Sequence, residues 1–142
     1  MTEFIYMWLG EIGYGHPLHS PITHAPMGMV IGGCLFVLLA AFMNKPALFT
    51  TAKHCYAVAL AAIPPTVFVG YMDWQHFYHG VWRHEIVIKL VLASVLLAVC
   101  AYNFRRLRRG AGDKRVTAAC SLVALAIAGA LGFFGGELVY GG

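Results

Sequence analysis

Four long apolar stretches constrain the fold of this chain more than any other feature of its sequence. They cover roughly residues 25–43, 55–72, 86–104 and 116–139. Each is close to the ~20 residues that an α-helix needs to cross ~30 Å of hydrocarbon. Strands are a poor alternative, because residues 30–42 and 90–101 are continuously apolar and lipid admits β-structure only as a closed barrel. The sequence therefore predicts four transmembrane helices.

The composition agrees with a small membrane protein of the all-α class. Of 142 residues, 60% are hydrophobic and 11% are charged, whereas a soluble domain carries about 25% charged residues. The predicted links between the helices, residues 44–54, 73–85 and 105–115, are short and favour an up-down-up-down bundle. No basic residue precedes the apolar run 4–9, so we expect no cleaved signal peptide. We expect an outward-facing segment at 1–24, with aromatic residues at the membrane surface, followed by a four-span domain at 25–142.

The distribution of Lys and Arg predicts the orientation in the membrane. The first link carries Lys45 and Lys53, and six further basic residues lie at positions 105–115, so eight of the ten are on one side. Basic residues near helix ends resist export, which places this side in the cytoplasm and both termini outside. The net charge of +4 is then explained by the orientation in the membrane, and it gives no reason to expect nucleic acid as a partner.

Histidines concentrate at the opposite, outer side. Six of the seven lie there, and only His54 lies at the cytoplasmic end of the second span. The four cysteines stand singly, without a CxxC or CxxCH sequence, which disfavours an iron–sulfur cluster, a structural zinc site and c-type haem. We expect the cysteines to be reduced, buried bystanders. Imidazoles on different helices of a bundle suit a six-coordinate haem b, so haem iron is the predicted metal.

Other residues near the outer ends fit such a cofactor. Gly28 and Gly32 would let a flat group approach the first span, although the same spacing is a helix-association device in lipid. Arg83 or Lys89 would pair with haem propionates, or snorkel to the interface. Asp73 or Glu137 would accept protons at a quinone site.

Several of these residues resemble the opening and the helix ends of a known family. The segment His19-Ser-Pro-Ile-Thr-His24-Ala-Pro26 is followed by the first span, Gly70-x-x-Asp73 closes the second span, and His84 opens the third. The chain ends on Gly136-Glu-Leu-Val139-Tyr140-x-Gly142. Over residues 19–142 the chain resembles the bacterial four-span membrane proteins called domain of unknown function 2231.

The resemblance implies a four-helix bundle in the bacterial inner membrane, and it selects His24 and His84 as the axial pair of a haem. His19, His76 and His79 then form a second set, ligands of a second haem or of a metal ion nearer the surface. We expect a b-type cytochrome-like electron-transfer subunit that links quinone to a periplasmic electron carrier within a larger redox complex. The alternative is a non-haem module that binds or transports a divalent metal such as copper or zinc, or a structural membrane anchor.

Catalysis by the chain itself is not indicated. The sequence shows no Ser/His/Asp arrangement and no pair of acids that would act as general acid and base. Any role in an oxidoreductase complex is therefore expected to be electron transfer rather than chemistry on a substrate.

Overall fold

The regular structure of this chain is helical throughout its described part. The computed structural model describes residues 2–13 and 15–140, and the side chains of residues 3–13 and 15–136. Its helices are α1 (Thr2–Glu11), α2 (His19–Met43), α3 (Ala47–Phe77), α4 (His84–Arg108) and α5 (Lys114–Tyr140). The four helices α2 to α5 are long and apolar enough to cross a membrane. The prediction of an all-α, four-span membrane protein is confirmed.

The four long helices pack as a bundle around a core of small and branched side chains. Each contacts its neighbour in sequence, and α2 also packs on α5, which closes the ring and leaves α2 and α4 at opposite corners. The buried core includes Val30, Ala59, Leu96 and Ala124. Large apolar side chains such as Leu35, Phe68, Val91 and Val123 stay exposed on the outside of the bundle. In water such a surface is unfavourable, whereas in lipid it is the expected one.

The helices extend beyond the apolar stretches from which they were predicted. The links are only residues 44–46, 78–83 and 109–113, so the predicted links 44–54, 73–85 and 105–115 were too long. The reason is that helical hydrogen bonds require no apolar side chain, so polar and aromatic residues continue each helix past the hydrocarbon. Most important for the site, α2 begins at His19, six residues before the apolar run that starts at residue 25.

Helix α1 packs across the end of α3. Tyr6 is buried there, with its ring stacked on His76 at a centroid distance of 4.2 Å and edge-on to Phe77 at 5.5 Å. Phe4, Met7 and Trp8 are exposed on the other side of α1. This apolar face suits the membrane surface, the location that the sequence predicts for these aromatics.

The two ends of the bundle differ in chemistry. The histidine end comprises the starts of α2 and α4 and the ends of α3 and α5, whereas the basic end comprises the turns at 44–46 and 109–113. At the basic end, Lys114 Nζ donates a hydrogen bond of 2.8 Å to Asn44 Oδ1 and joins the two turns. The assignment of the basic end to the cytoplasm stays a prediction. All four cysteines are free thiols; Cys34 and Cys100 are buried as predicted, whereas Cys55 and Cys120 are only half-buried.

Candidate functional site

A cavity of about 600 Å³ opens between the four spanning helices in the half of the bundle nearest the histidine end. Cofactor and small-molecule sites have volumes of ~300–1,000 Å³, so this cavity has room for a ligand of that class. Its walls are mainly apolar, with a few polar groups. The polar, charged and aromatic side chains that line it are His19, Ser20, Thr23, His24, Thr66, Asp73, Lys89, Tyr71, Trp74, Tyr78 and Trp82.

His19, the first residue of α2, has a fixed imidazole in this cavity. Its Nδ1 lies 3.0 Å from the carbonyl oxygen of Thr66 on α3. Because a carbonyl can only accept, Nδ1 carries the hydrogen, and Nε2 keeps its lone pair. A hydrogen bond from the far ring nitrogen to a carbonyl is the usual way in which a ligating histidine is oriented and its tautomer fixed. His19 is therefore prepared to donate an electron pair through Nε2.

Gly70 makes room for this ring. A Cβ built on Gly70 would lie 2.8 Å from His19 Nδ1 and 3.0 Å from its Cε1. These distances are shorter than a carbon atom tolerates, and the ring is held by its hydrogen bond to Thr66. Only glycine at position 70 lets the imidazole lie against α3 in this position.

Asp73, one turn after Gly70, holds the start of α2. Its carboxylate accepts the backbone N–H of His19 at 2.7 Å and that of Leu18 at 3.2 Å. The hydroxyl of Tyr6 on α1 donates to the same carboxylate. Leu18 provides no side-chain cap of its own, so a carboxylate from another helix satisfies backbone donors of the first turn. Asp73 is 4% exposed, and its negative charge lies at the positive end of the α2 dipole.

Lys89 and a row of glycines form the opposite wall. Lys89 on α4 lines the cavity, and a Cβ on Gly135 of α5 would lie 3.9 Å from its Nζ. The Lys89 ammonium makes no hydrogen bond or salt bridge to another described residue. Gly132, Gly135 and Gly136 line the cavity as well, so the α5 backbone is open to a flat ligand.

The structure brings some of the predicted site residues to the cavity and not others. His19, His24 and Lys89 line it, whereas His84, although it opens α4, is exposed and does not belong to the described lining. Arg83 lies 3.5 Å from Glu85 outside the cavity. Gly28 has open space around it, and Gly32 packs near Cys55 Sγ, as expected of helix association.

The remaining histidines of the second set, His76 and His79, do not belong to the described lining of the cavity. His76 is stacked on Tyr6, with its Nδ1 3.6 Å from a carboxylate oxygen of Glu3. His79 is exposed in the link after α3, with a positive φ of 50°. Within the described residues, no three His, Cys, Asp or Glu side chains are arranged to hold a metal ion. Glu137, predicted as a proton acceptor, and Tyr140 with the residues that end the chain lie outside the described side chains.

Two parts of the site could not be predicted from the sequence: the backbone carbonyl that binds His19 and the contribution of α1. The Thr66 carbonyl leaves no trace in a sequence, and Tyr6 lies in a segment that was expected only to rest on the membrane surface. A signal was present in Gly70-x-x-Asp73, which matches the family pattern at the end of the second span. In the structure, both residues of this motif contact His19.

Comparison with known proteins gives a family but no described relative. The family model "Predicted membrane protein (DUF2231)" matches residues 15–142. No curated protein and no solved structure matches the chain.

Proposed function

We propose that this chain, which belongs to the family of predicted membrane proteins DUF2231, binds haem b in the cavity beside His19 and serves as an electron-transfer subunit in the membrane. The observation that carries the proposal is the fixed imidazole of His19. Its Nδ1 is committed to the Thr66 carbonyl, its Nε2 lone pair is available, and the residue lines a cavity of about 600 Å³.

A haem suits this cavity better than a bare metal ion does. Haem b is retained by one or two axial ligands and by apolar packing, without a covalent link. The cavity offers a prepared imidazole, aromatic and aliphatic walls, and a glycine-lined face on α5. A divalent metal needs three or four side-chain ligands, and the described residues offer no such cluster. The geometry thus gives the copper or zinc alternative no specific support.

The second axial ligand has to come from another helix. His19 and His24 are five residues apart on α2, so their side chains diverge by roughly 140° and are separated by ~7.5 Å along the axis. One iron between them is therefore unfavourable. The sequence-predicted partner His84 opens α4, at the opposite corner of the bundle, but it is exposed outside the described cavity lining and lies five residues from Lys89, so its side chain would have to turn inward to reach an iron beside His19. His84 is kept as the second ligand, and His19 is favoured over His24 as the first.

Lys89 would bind a propionate of the haem. Its ammonium makes no hydrogen bond or salt bridge to a described residue, and the Asp73 carboxylate, which attracts it across the cavity, already accepts from Tyr6 and the start of α2. A charge within a membrane span is costly unless it is directly paired. A carboxylate of the cofactor would provide that pairing. Arg83 lies against Glu85, outside the cavity, and is the weaker candidate for this role.

A haem at the histidine end would lie near one membrane surface. If the basic end faces the cytoplasm, this surface is periplasmic, and an electron carrier there or another subunit of a redox complex can approach the haem. Quinone in the bilayer is the proposed partner on the membrane side. The location in the bacterial inner membrane belongs to the same proposal.

The direct test is the absorption spectrum of the protein purified in mild detergent from cells supplied with a haem precursor. We expect the reduced-minus-oxidised spectrum to show the α-band of b-type haem, and extraction with acidic acetone to remove the haem, which shows that it is not covalently bound. A colourless protein that retains stoichiometric copper or zinc would overturn the proposal in favour of the metal module. A colourless protein without metal would overturn it in favour of an anchor.

A further inference from the structure

A second group of polar side chains lies fully buried in the half of the bundle nearest the basic end, away from the His19 cavity. All four spanning helices contribute to it: Cys34 from α2, Tyr56 from α3, Asn103 from α4 and Ser121 from α5. We call these four residues the polar layer. Tyr56, Asn103 and Ser121 each have 0% exposure. Polar side chains inside a membrane span are costly and usually face a partner within the bundle.

The polar layer contains groups that no described part of the protein satisfies. Tyr56 Oη, Asn103 Nδ2 and Asn103 Oδ1 are buried without a hydrogen-bond partner among the described residues. Ser121 is near the Tyr56 hydroxyl, but its own hydroxyl donates to the Thr117 carbonyl at 2.9 Å and makes no hydrogen bond to Tyr56 Oη. More than about 90% of buried polar groups in proteins are hydrogen-bonded to protein or to ordered water. These three buried atoms, one on α3 and two on α4, therefore point to small polar ligands beside them.

Polar groups also connect this layer to the basic end. Thr117, one turn before Ser121 on α5, is buried, and its hydroxyl donates to the Ala111 carbonyl at 2.7 Å. Arg106, one turn after Asn103 on α4, donates to the Thr117 hydroxyl at 3.2 Å and to the Asp113 carbonyl at 3.1 Å. Hydrogen-bonded polar groups thus extend from the turn at 109–113 to Thr117, one helical turn from Ser121.

We propose that the polar layer is an internal water site, in which water molecules hydrogen-bond to the amide of Asn103 and the hydroxyl of Tyr56 and enter from the basic end. Water is the one ligand that is small enough for a closely packed core and that both donates to Asn103 Oδ1 and accepts from Asn103 Nδ2 and Tyr56 Oη. The site gives the middle of the bundle a hydrated contact with the basic side. It does not depend on the haem proposal.

The test is radiolytic hydroxyl labelling of the full-length protein in lipid nanodiscs, read out by mass spectrometry. Short-lived hydroxyl radicals form from water in place, so a buried side chain is labelled only when water is bound beside it. We expect Tyr56 to be labelled despite its complete burial, and exposed Tyr102 provides the reference for labelling by bulk solvent. Labelling of Tyr56 that is no higher than that of core residues such as Val37, after division by the intrinsic reactivity of each residue type, would overturn the proposal.

A matched substitution separates bound water from local unfolding. Asn103→Leu keeps the approximate volume but removes both amide groups, and we expect it to abolish Tyr56 labelling while Tyr102 labelling stays unchanged. Asn103→Met is the second variant, for use if Asn103→Leu fails to fold; it also removes both amide groups and should reduce the Tyr56 label in the same way. If Tyr56 remains fully labelled in the folded variants, its label comes from transient opening of the bundle to solvent, and the proposed water site is wrong.

Discussion

The imidazole of His19 rests directly on the backbone of Gly70, so closely that a Cβ at position 70 would lie 2.8 Å from His19 Nδ1. Three features meet at this contact: the hydrogen bond to the Thr66 carbonyl, the Asp73 carboxylate that holds the start of α2, and the wall of the cavity. The placement of His19 is therefore set by α3 rather than by α2 alone. Each consequence of this arrangement is open to measurement.

The Gly70→Ala variant tests whether the position of the ring matters. The added methyl group displaces the imidazole from the Thr66 carbonyl, so we expect haem content to fall, or low-spin haem to become high-spin, while the protein still folds. Gly28→Ala is the matched control, because a Cβ at Gly28 of α2 has nothing within 4 Å. The absorption spectrum of each variant at equal protein concentration measures the haem content and the spin state. Equal spectra for the two variants would show that the Gly70 contact does not position a ligand.

The Asp73→Asn variant tests the capping of α2. An amide is a weaker acceptor for the N–H groups of Leu18 and His19 than a carboxylate, and it removes the charge at the helix N-terminus. We expect a loss of about 1–2 kcal/mol in the free energy of unfolding. Glu11→Gln removes an exposed carboxylate near the same end and should leave stability nearly unchanged. Unfolding in a denaturant series in mild detergent measures the difference, and a similar effect of both variants would count against the capping role.

Features of the fold and of the site could be predicted from the sequence only where they depend on a repeated pattern of side chains. The four spans were predicted because continuous apolar runs are visible residue by residue. The true start of α2 at His19 was missed, because its donors are satisfied by Asp73, 54 residues away in sequence. His19 was placed in a second set of ligands, since nothing in a sequence reveals that the Thr66 carbonyl accepts from its ring. The cavity arises from the packing of all four helices and has no local signal.

The Lys89→Met variant tests the proposed pairing with a haem propionate. Methionine keeps most of the apolar stem but removes the ammonium that stabilises a propionate, so we expect weaker haem retention and a lower reduction potential, since a nearby positive charge favours the reduced haem. Lys53→Met, at the basic end, is the control. Potentiometric titration followed by absorption gives both quantities. An unchanged potential and unchanged retention in Lys89→Met would remove Lys89 from the site.

The orientation in the membrane is tested by reporters fused at Gly110 and at the C-terminus. Gly110 lies in the turn between α4 and α5, at the basic end. Because basic residues resist export, we expect a cytoplasmic reporter to be active at Gly110 and a periplasmic reporter at the C-terminus. Periplasmic activity at Gly110 would place the histidine end in the cytoplasm and exclude a periplasmic electron carrier as partner.

The most direct test of the central claim, that His19 ligates a haem in this cavity, is low-temperature electron paramagnetic resonance of oxidised protein carrying single histidine substitutions. We expect a low-spin haem signal in the parent and in His24→Ala and His54→Ala, and its loss or conversion to high spin in His19→Ala and His84→Ala. Loss of the signal in His24→Ala with retention in His19→Ala would restore the sequence-predicted pair His24 and His84. An unaltered low-spin signal in His19→Ala would contradict the claim.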